Sequence, residues 1–312
     1  MTPWGAALLP CKQPYKPLLD KEIMMTVERP LRDANLVFFG GSAGIGRAAA
    51  VEIGRRGANV LIVGRGREAG EAAVATVRAA GAASAEFLPG DLSTIAGIDA
   101  VAAGVRAWKP ELHGVLHTAM AAFSGKQTTA DGLEFAFALQ YFARAALNRL
   151  LVDVLAASGD GRIVHIAGNV PTMFMPDLDD LQFDRRKWSF FRSVLGTHLL
   201  GFLHIQEATK RWENRPVTLT ACCVNSTRTK AMSDPAMPLI MRLMGRFGTT
   251  PELSARNAVG LLTEASARGA AGTVLRNPAR YAPEPLILEA QEAAKLWDIT
   301  TSIAGQGGMA LP

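Results

Sequence analysis

Asn35-Leu36-Val37-Phe38-Phe39-Gly40-Gly41-Ser42-Ala43-Gly44-Ile45-Gly46-Arg47 is the stretch from which the rest of the chain can be read. An apolar run, Leu36 to Phe39, stops at a glycine-rich turn, and the turn opens into apolar residues at helical spacing, Ile45, Ala49 and Ile53. A second apolar run, Val60 to Val63, follows Gly57 and ends at Gly64-Arg65. Strand, turn, helix and strand within about thirty residues make the unit that holds a dinucleotide. In such a unit Gly40 and Gly41 turn the chain sharply off the strand, Gly44 lets the backbone approach a pyrophosphate, and Gly46 brings the helix close to the sheet. The phosphates then lie against the turn at Ser42 and Ile45, where unpaired N–H groups and the positive end of the helix dipole favour an anion.

The end of the second strand selects the dinucleotide. An acidic residue there holds both ribose hydroxyls of NAD, whereas this strand ends in Gly64 and Arg65. No carboxylate repels a 2′-phosphate, and Arg65 pairs with one, assisted by Arg47 or Arg67. The expected cofactor is NADP(H).

With 312 residues, 49% of them hydrophobic, the chain can bury one large core. The net charge of +5 comes from scattered arginines, which argues against nucleic acid and fits an anionic cofactor. Cys11, Cys222 and Cys223 cannot form a disulfide framework, as expected of a reducing compartment. No apolar run approaches the ~20 residues of a membrane span, so a cytoplasmic protein is expected. Residues 1–30 read as an irregular arm, with Met24 or Met25 as an alternative start.

Downstream, helix and strand alternate: helix Glu68 to Ala80, strand Ala85 to Leu88, helix Ile98 to Trp108, strand Gly114 to Ala119, helix Leu133 to Leu155, strand Arg162 to Ala167, helix Leu195 to Arg211, strand Val217 to Val224 and helix Glu252 to Ala265. The pattern predicts an α/β fold, a doubly wound parallel sheet of Rossmann type with helices on both faces, in a single domain over 31–312. Two stretches break the rhythm. Residues 170–191 carry Pro171, Met173, Phe174, Pro176, Trp188 and Phe190; residues 229–250 carry Met232, Met237, Met241 and Met244. Both read as lids over an apolar small-molecule substrate, the second alternatively as Met-rich core filling.

Over roughly residues 34–275 the chain resembles the short-chain dehydrogenase/reductase superfamily. Gly40 through Gly46 matches its glycine motif with Phe39 at the usual threonine, and Asp91-Leu92 is similar to its adenine-contacting pair. Thr129-Ala130-Asp131-Gly132-Leu133-Glu134 and Lys295-Leu296-Trp297 are similar to the retinol-dehydrogenase-like branch and its fungal secondary-metabolite relatives. The resemblance implies assembly as a homodimer or homotetramer and an active site of tyrosine, lysine, serine and asparagine. In that site the lysine lowers the tyrosine pKa, so that the phenol protonates a carbonyl while hydride arrives from the nicotinamide. Here the tyrosine position falls on Val194, the lysine on His198, the serine on Gly168 and the asparagine on Gln140, while Thr229 stands where an amide-contacting threonine would.

Chemistry must come from what remains. His198 titrates near neutral pH and can exchange a proton with substrate, or replace lysine as a donor to the ribose. His117 ends a strand beside the expected crevice, whereas His165 reads as core. Gln140, Asn169 and Asn225 can bond a substrate carbonyl or the cofactor amide, or merely satisfy backbone groups, and Arg144 reaches an anionic substrate or solvent. Ligands at metal spacing, a nucleophile elbow and a His-Glu-x-x-His pattern are absent from the sequence, so neither a metal nor a covalent nucleophile is expected. Three readings stay open: an NADPH-dependent reductase of an activated carbonyl, enone or iminium; a redox-silent cyclase or isomerase that keeps NADP(H) structurally; and a non-catalytic binding relative.

Overall fold

The computed structural model describes residues 31–121 and 124–312. The arm expected over residues 1–30 lies outside the described residues. The quoted stretch folds as read: β1 (Asn35–Phe39), the glycine turn, α1 (Gly44–Arg55) and β2 (Asn59–Gly64), with β1 and β2 parallel and Phe39 opposite Val63. α2 (Arg67–Ala80), β3 (Ser84–Pro89), α3 (Ile95–Trp108) and β4 (Gly114–His117) follow. Then come α4 (Ala143–Ala156), β5 (Gly161–Ala167), α5 (Gly196–Arg211) and β6 (Val217–Cys223). α6 (Leu239–Arg246), α7 (Pro251–Thr263), β7 (Thr273–Leu275), β8 (Pro283–Pro285) and α8 (Ala290–Gln306) complete the chain.

Among the described residues eight strands form one sheet in the order β3-β2-β1-β4-β5-β6-β7-β8, parallel except for β8. Alternate residues of each strand point to opposite faces, which makes the sheet doubly wound. Leu36 and Phe38 face a layer built from α1, α2 and α7, while Val37 and Phe39 face α3, α4, α5 and α8. The order reverses between β1 and β4, so the ligand crevice opens at the C-terminal ends of these strands. Among the described residues no helix is long and apolar enough to cross a membrane.

Five elements depart from the sequence reading. The helix expected over 133–155 contains a π-helical segment, Phe137–Phe142, before α4, and a second one, Phe191–Leu195, precedes α5. The second stretch, read as a lid or as Met-rich core filling, contains a helix, α6, that the sequence reading did not list. β7 and β8, three residues each, are too short to show periodicity, and the prolines of Pro283-Glu284-Pro285 fit only an edge strand.

Candidate functional site

The glycine turn is shaped by contacts that exclude side chains. Gly40 has φ +87°, and a Cβ there would lie 2.6 Å from the Ala119 nitrogen; one on Gly46 would lie 2.5 Å from the Gly40 carbonyl oxygen. Gly44, at φ +53°, faces Thr229, whose Cγ2 would be 3.1 Å from an added Cβ. The Thr118 hydroxyl donates to the Phe39 carbonyl at 3.0 Å and closes the turn from the β4 side. Ala43 is the N-cap of α1 and gives no side-chain cap, and the first turn carries no acid, so among the described residues no capping anion meets its leading N–H groups at the crevice.

The adenine side is equally open. Arg65 at the end of β2 and Arg47 on α1 are exposed and have no ion-pair partner among the described residues, whereas Arg67 pairs with Glu71 at 3.5 Å. Asp91 accepts from the Ser93 N–H at 2.9 Å and its hydroxyl at 2.7 Å through one carboxylate oxygen, which leaves the other outward. The Leu92 side chain is buried in the core, so only its backbone can touch a ligand. Ile45 packs against the core beneath the turn, and Gly64 lies beside Ser42.

At the other end of the crevice the four altered positions converge. Gly168 follows β5, and a Cβ on it would lie 3.5 Å from Cδ2 and 3.6 Å from Nε2 of His198. The missing side chain leaves His198 facing the strand end. Val194 and Gln140, both fully buried, sit on the two π-helical segments, a distortion frequent at functional sites. Val194 lies in an apolar wall with Phe190 and Met237, against which Trp188, Met232 and Met241 pack. The two lids therefore meet over Val194.

Arg144 does not face solvent, and among the described residues it has no ion-pair partner. It is buried and donates to the Ile166 carbonyl at 2.9 Å and the Ala119 carbonyl at 3.2 Å, tying the ends of β5 and β4 together. Its Nε and the Gln140 Oε1 have no hydrogen-bond partner among the described residues, although Gln140 Nε2 reaches the Ala121 carbonyl at 3.4 Å. Burial lowers the Arg144 pKa to about 10, so it stays charged at neutral pH. Burial, with the Arg144 charge adding to it, takes His198 down to about 3. His198 is thus a neutral imidazole at physiological pH, able to donate from one ring nitrogen and accept at the other.

His117 does not face the crevice as expected. It is buried, stacked on Phe39 with ring centroids 4.8 Å apart, and donates to Asn148 Oδ1 at 2.8 Å. Asn148 Nδ2 in turn donates to His165 at 2.9 Å and His204 at 3.1 Å, so one amide serves three imidazoles. That arrangement needs a proton on Nε2 of His117 and none on Nε2 of the other two. Asn169 also lies apart: it is exposed, and its carbonyl accepts from Arg276 at 3.3 Å.

Glu134 has a role that the sequence did not announce. Its buried carboxylate accepts from Trp188 Nε1 at 3.1 Å, the Ser193 hydroxyl at 2.9 Å and the Phe137 N–H at 2.8 Å, so it pins the first lid to the segment bearing Gln140. Its only signal was its place in Thr129 to Glu134, which marked a resemblance without a function.

Residues 35–177 match the family described as short chain dehydrogenase. Human retinol dehydrogenase 13 is 25% identical over 289 residues, covering 86% of this chain and 84% of that protein. Mouse polyprenol dehydrogenase is 30% identical over 147 residues, 46% of this chain and 44% of its own length. Among solved structures, a 3-oxoacyl (acyl-carrier-protein) reductase from Agrobacterium tumefaciens C58 with NADP bound has a TM-score of 0.64 at 20% identity, over 83% of this chain and 98% of that one. That likeness concerns the fold. Together with the glycine turn and the strand order, the matches support the short-chain dehydrogenase/reductase superfamily for this chain, whose relatives over most of its length are named retinol dehydrogenases.

Proposed function

We propose that the protein is an NADP(H)-dependent reductase of an apolar, activated carbonyl, enone or iminium compound. The observation that carries this reading is an uncapped helix N-terminus beside an exposed, unpaired Arg65: an anion site with its counter-charges in place and no protein anion to fill it. Gly44, Ile45, Gly46 and Ser42 would hold the pyrophosphate against α1, with Gly40 shaping the turn. Arg65 would take the 2′-phosphate, Asp91 and the Leu92 backbone the adenine side, and Thr229 the carboxamide. Bound there, NADPH supplies a hydride.

The chain's own contribution follows from its surviving groups. Neutral His198 donates a hydrogen bond to the substrate heteroatom, and the proton that completes reduction comes from it, from water or from the substrate. Arg144 provides a fixed positive charge at the same end of the sheet, which favours negative charge developing on the substrate. The wall of Phe190, Val194 and Met237 excludes water and selects an apolar compound. Lack of a positioned phenol costs ~10²–10⁴ in rate, which an activated electrophile tolerates.

One observation favours a second reading. Apolar Val194 and bare Gly168 stand where the family's proton-handling groups belong, which suits a redox-silent cyclisation or isomerisation guided by pocket shape. Cofactor oxidation separates the two. For the reductase, NADPH absorbance falls in step with product, and a 4-deuterated cofactor labels the product. Product formed with NADP⁺ or without cofactor contradicts the reductase, and no turnover of any electrophile favours a non-catalytic relative.

A further inference from the structure

α6 is amphipathic the wrong way round for a helix resting on a core. Leu239, Ile240, Leu243, Met244 and Phe247, the last at its C-cap, are 75%, 63%, 56%, 50% and 80% exposed. Their spacing confines them to roughly 140° of the helix circumference at about 100° per residue. The side facing the protein is narrow: Gly245 lies on Met232, and Met241 joins the Met237 cluster. No contact within the described chain accounts for the apolar arc, and exposed patches of this kind mark interaction sites.

The charges around the arc say what kind of surface it meets. Arg242 and Arg246 flank it on α6, and Arg228 and Lys230 face them across an open depression of about 680 Å³ that Leu239 and Leu243 also line. None of the four cations has an ion-pair partner among the described residues, and Asp234 is the only acid between positions 228 and 247. A second copy of the chain docked about a two-fold axis would set these cations against their own images. A surface that is apolar within and anionic at its rim satisfies both the arc and the arginines, as it does for helices lying in a bilayer interface.

We infer that α6 docks the protein on an anionic lipid surface, with Leu239, Ile240, Leu243, Met244 and Phe247 entering the acyl boundary and Arg228, Lys230, Arg242 and Arg246 meeting the headgroups. The second lid thereby also sets the crevice mouth near the lipid. The lipid contact is argued from the exposed arc and the cations, while the placing of the crevice mouth rests on the proposed function, since Thr229 lines the same depression.

The test is co-sedimentation of the full chain with phosphatidylcholine vesicles, with and without about 30% phosphatidylglycerol. The expected result is binding to the anionic vesicles alone, weakened by salt. Arg242→Glu with Arg246→Glu should reduce partitioning by roughly thirty-fold or more, from about five-fold per cation. Ile240→Asp with Phe247→Asp should abolish it while NADPH affinity and thermal midpoint stay at wild-type values, which shows that the fold is intact. Wild-type protein left in the supernatant overturns the inference. So do variants that sediment like wild type, or a dimer that Phe247→Asp dissociates while vesicles stay unbound.

Discussion

Position 198 carries an imidazole where the family pattern has a lysine, and burial decides what that exchange does. A lysine keeps its charge and lowers a neighbouring phenol's pKa; His198, held near pKa 3 by desolvation and then by Arg144, carries none at neutral pH and has no phenol to act on. It serves as a neutral donor or acceptor. His198→Ala should therefore lower turnover by ten-fold or more while NADPH affinity, measured by fluorescence titration, stays close to wild type; unchanged turnover removes it from the site. At the other end of the crevice, Arg65→Glu places a carboxylate where a 2′-phosphate is expected. NADPH should bind at least ten-fold more weakly and NADH about as before.

At the scale of elements, the first lid hangs on Glu134. Glu134→Ala orphans the Trp188 indole, the Ser193 hydroxyl and the Phe137 N–H at once, and should cost about 2–4 kcal/mol of stability. A lower denaturant midpoint with faster proteolytic cutting within residues 170–191 would show it, and wild-type behaviour in both would contradict the role. This scale also shows where the sequence was legible. β1, the glycine turn and α1 declare themselves because periodicity, turn chemistry and spacing agree over one local stretch. Gly168, His198, Val194 and Gln140 were assigned by register along strands and helices, and the structure sets Gly168 beside His198. What Glu134, Arg144 and Asn148 do could not, because their partners lie on other elements: Arg144 bonds carbonyls of β5 and the segment after β4, and Asn148 joins imidazoles from β4, β5 and α5. His117 was misread for the same reason, since a strand end can face a crevice or a helix layer and only packing chooses. α6 escaped notice because its apolar residues point outward, which makes composition alone resemble core filling.

Across the whole molecule, four buried imidazoles share one consequence. Burial, before any neighbouring charge, holds His117 and His165 well below their ordinary 6.5 and His198 and His204 near 3. Above pH 6.5 these groups are neutral in folded and unfolded chains alike and add no pH dependence. Below it the unfolded chain takes up protons that the fold refuses, so stability falls with falling pH until the folded pKa values are reached. Each group contributes up to ~1.4 kcal/mol per pH unit in that window. The thermal midpoint should be level above about pH 7 and drop steeply towards about pH 4; a midpoint unchanged between about pH 7 and pH 5 would contradict the neutral cluster.

In the proposed function the crevice keeps a nucleotide cradle although the residues for proton transfer beside it differ. Titration of the purified protein with NADPH and NADH, followed by calorimetry, tests this most directly. Saturable one-to-one binding of NADPH, at least ten-fold tighter than that of NADH, is the predicted result. Heat indistinguishable from dilution for both nucleotides would contradict it.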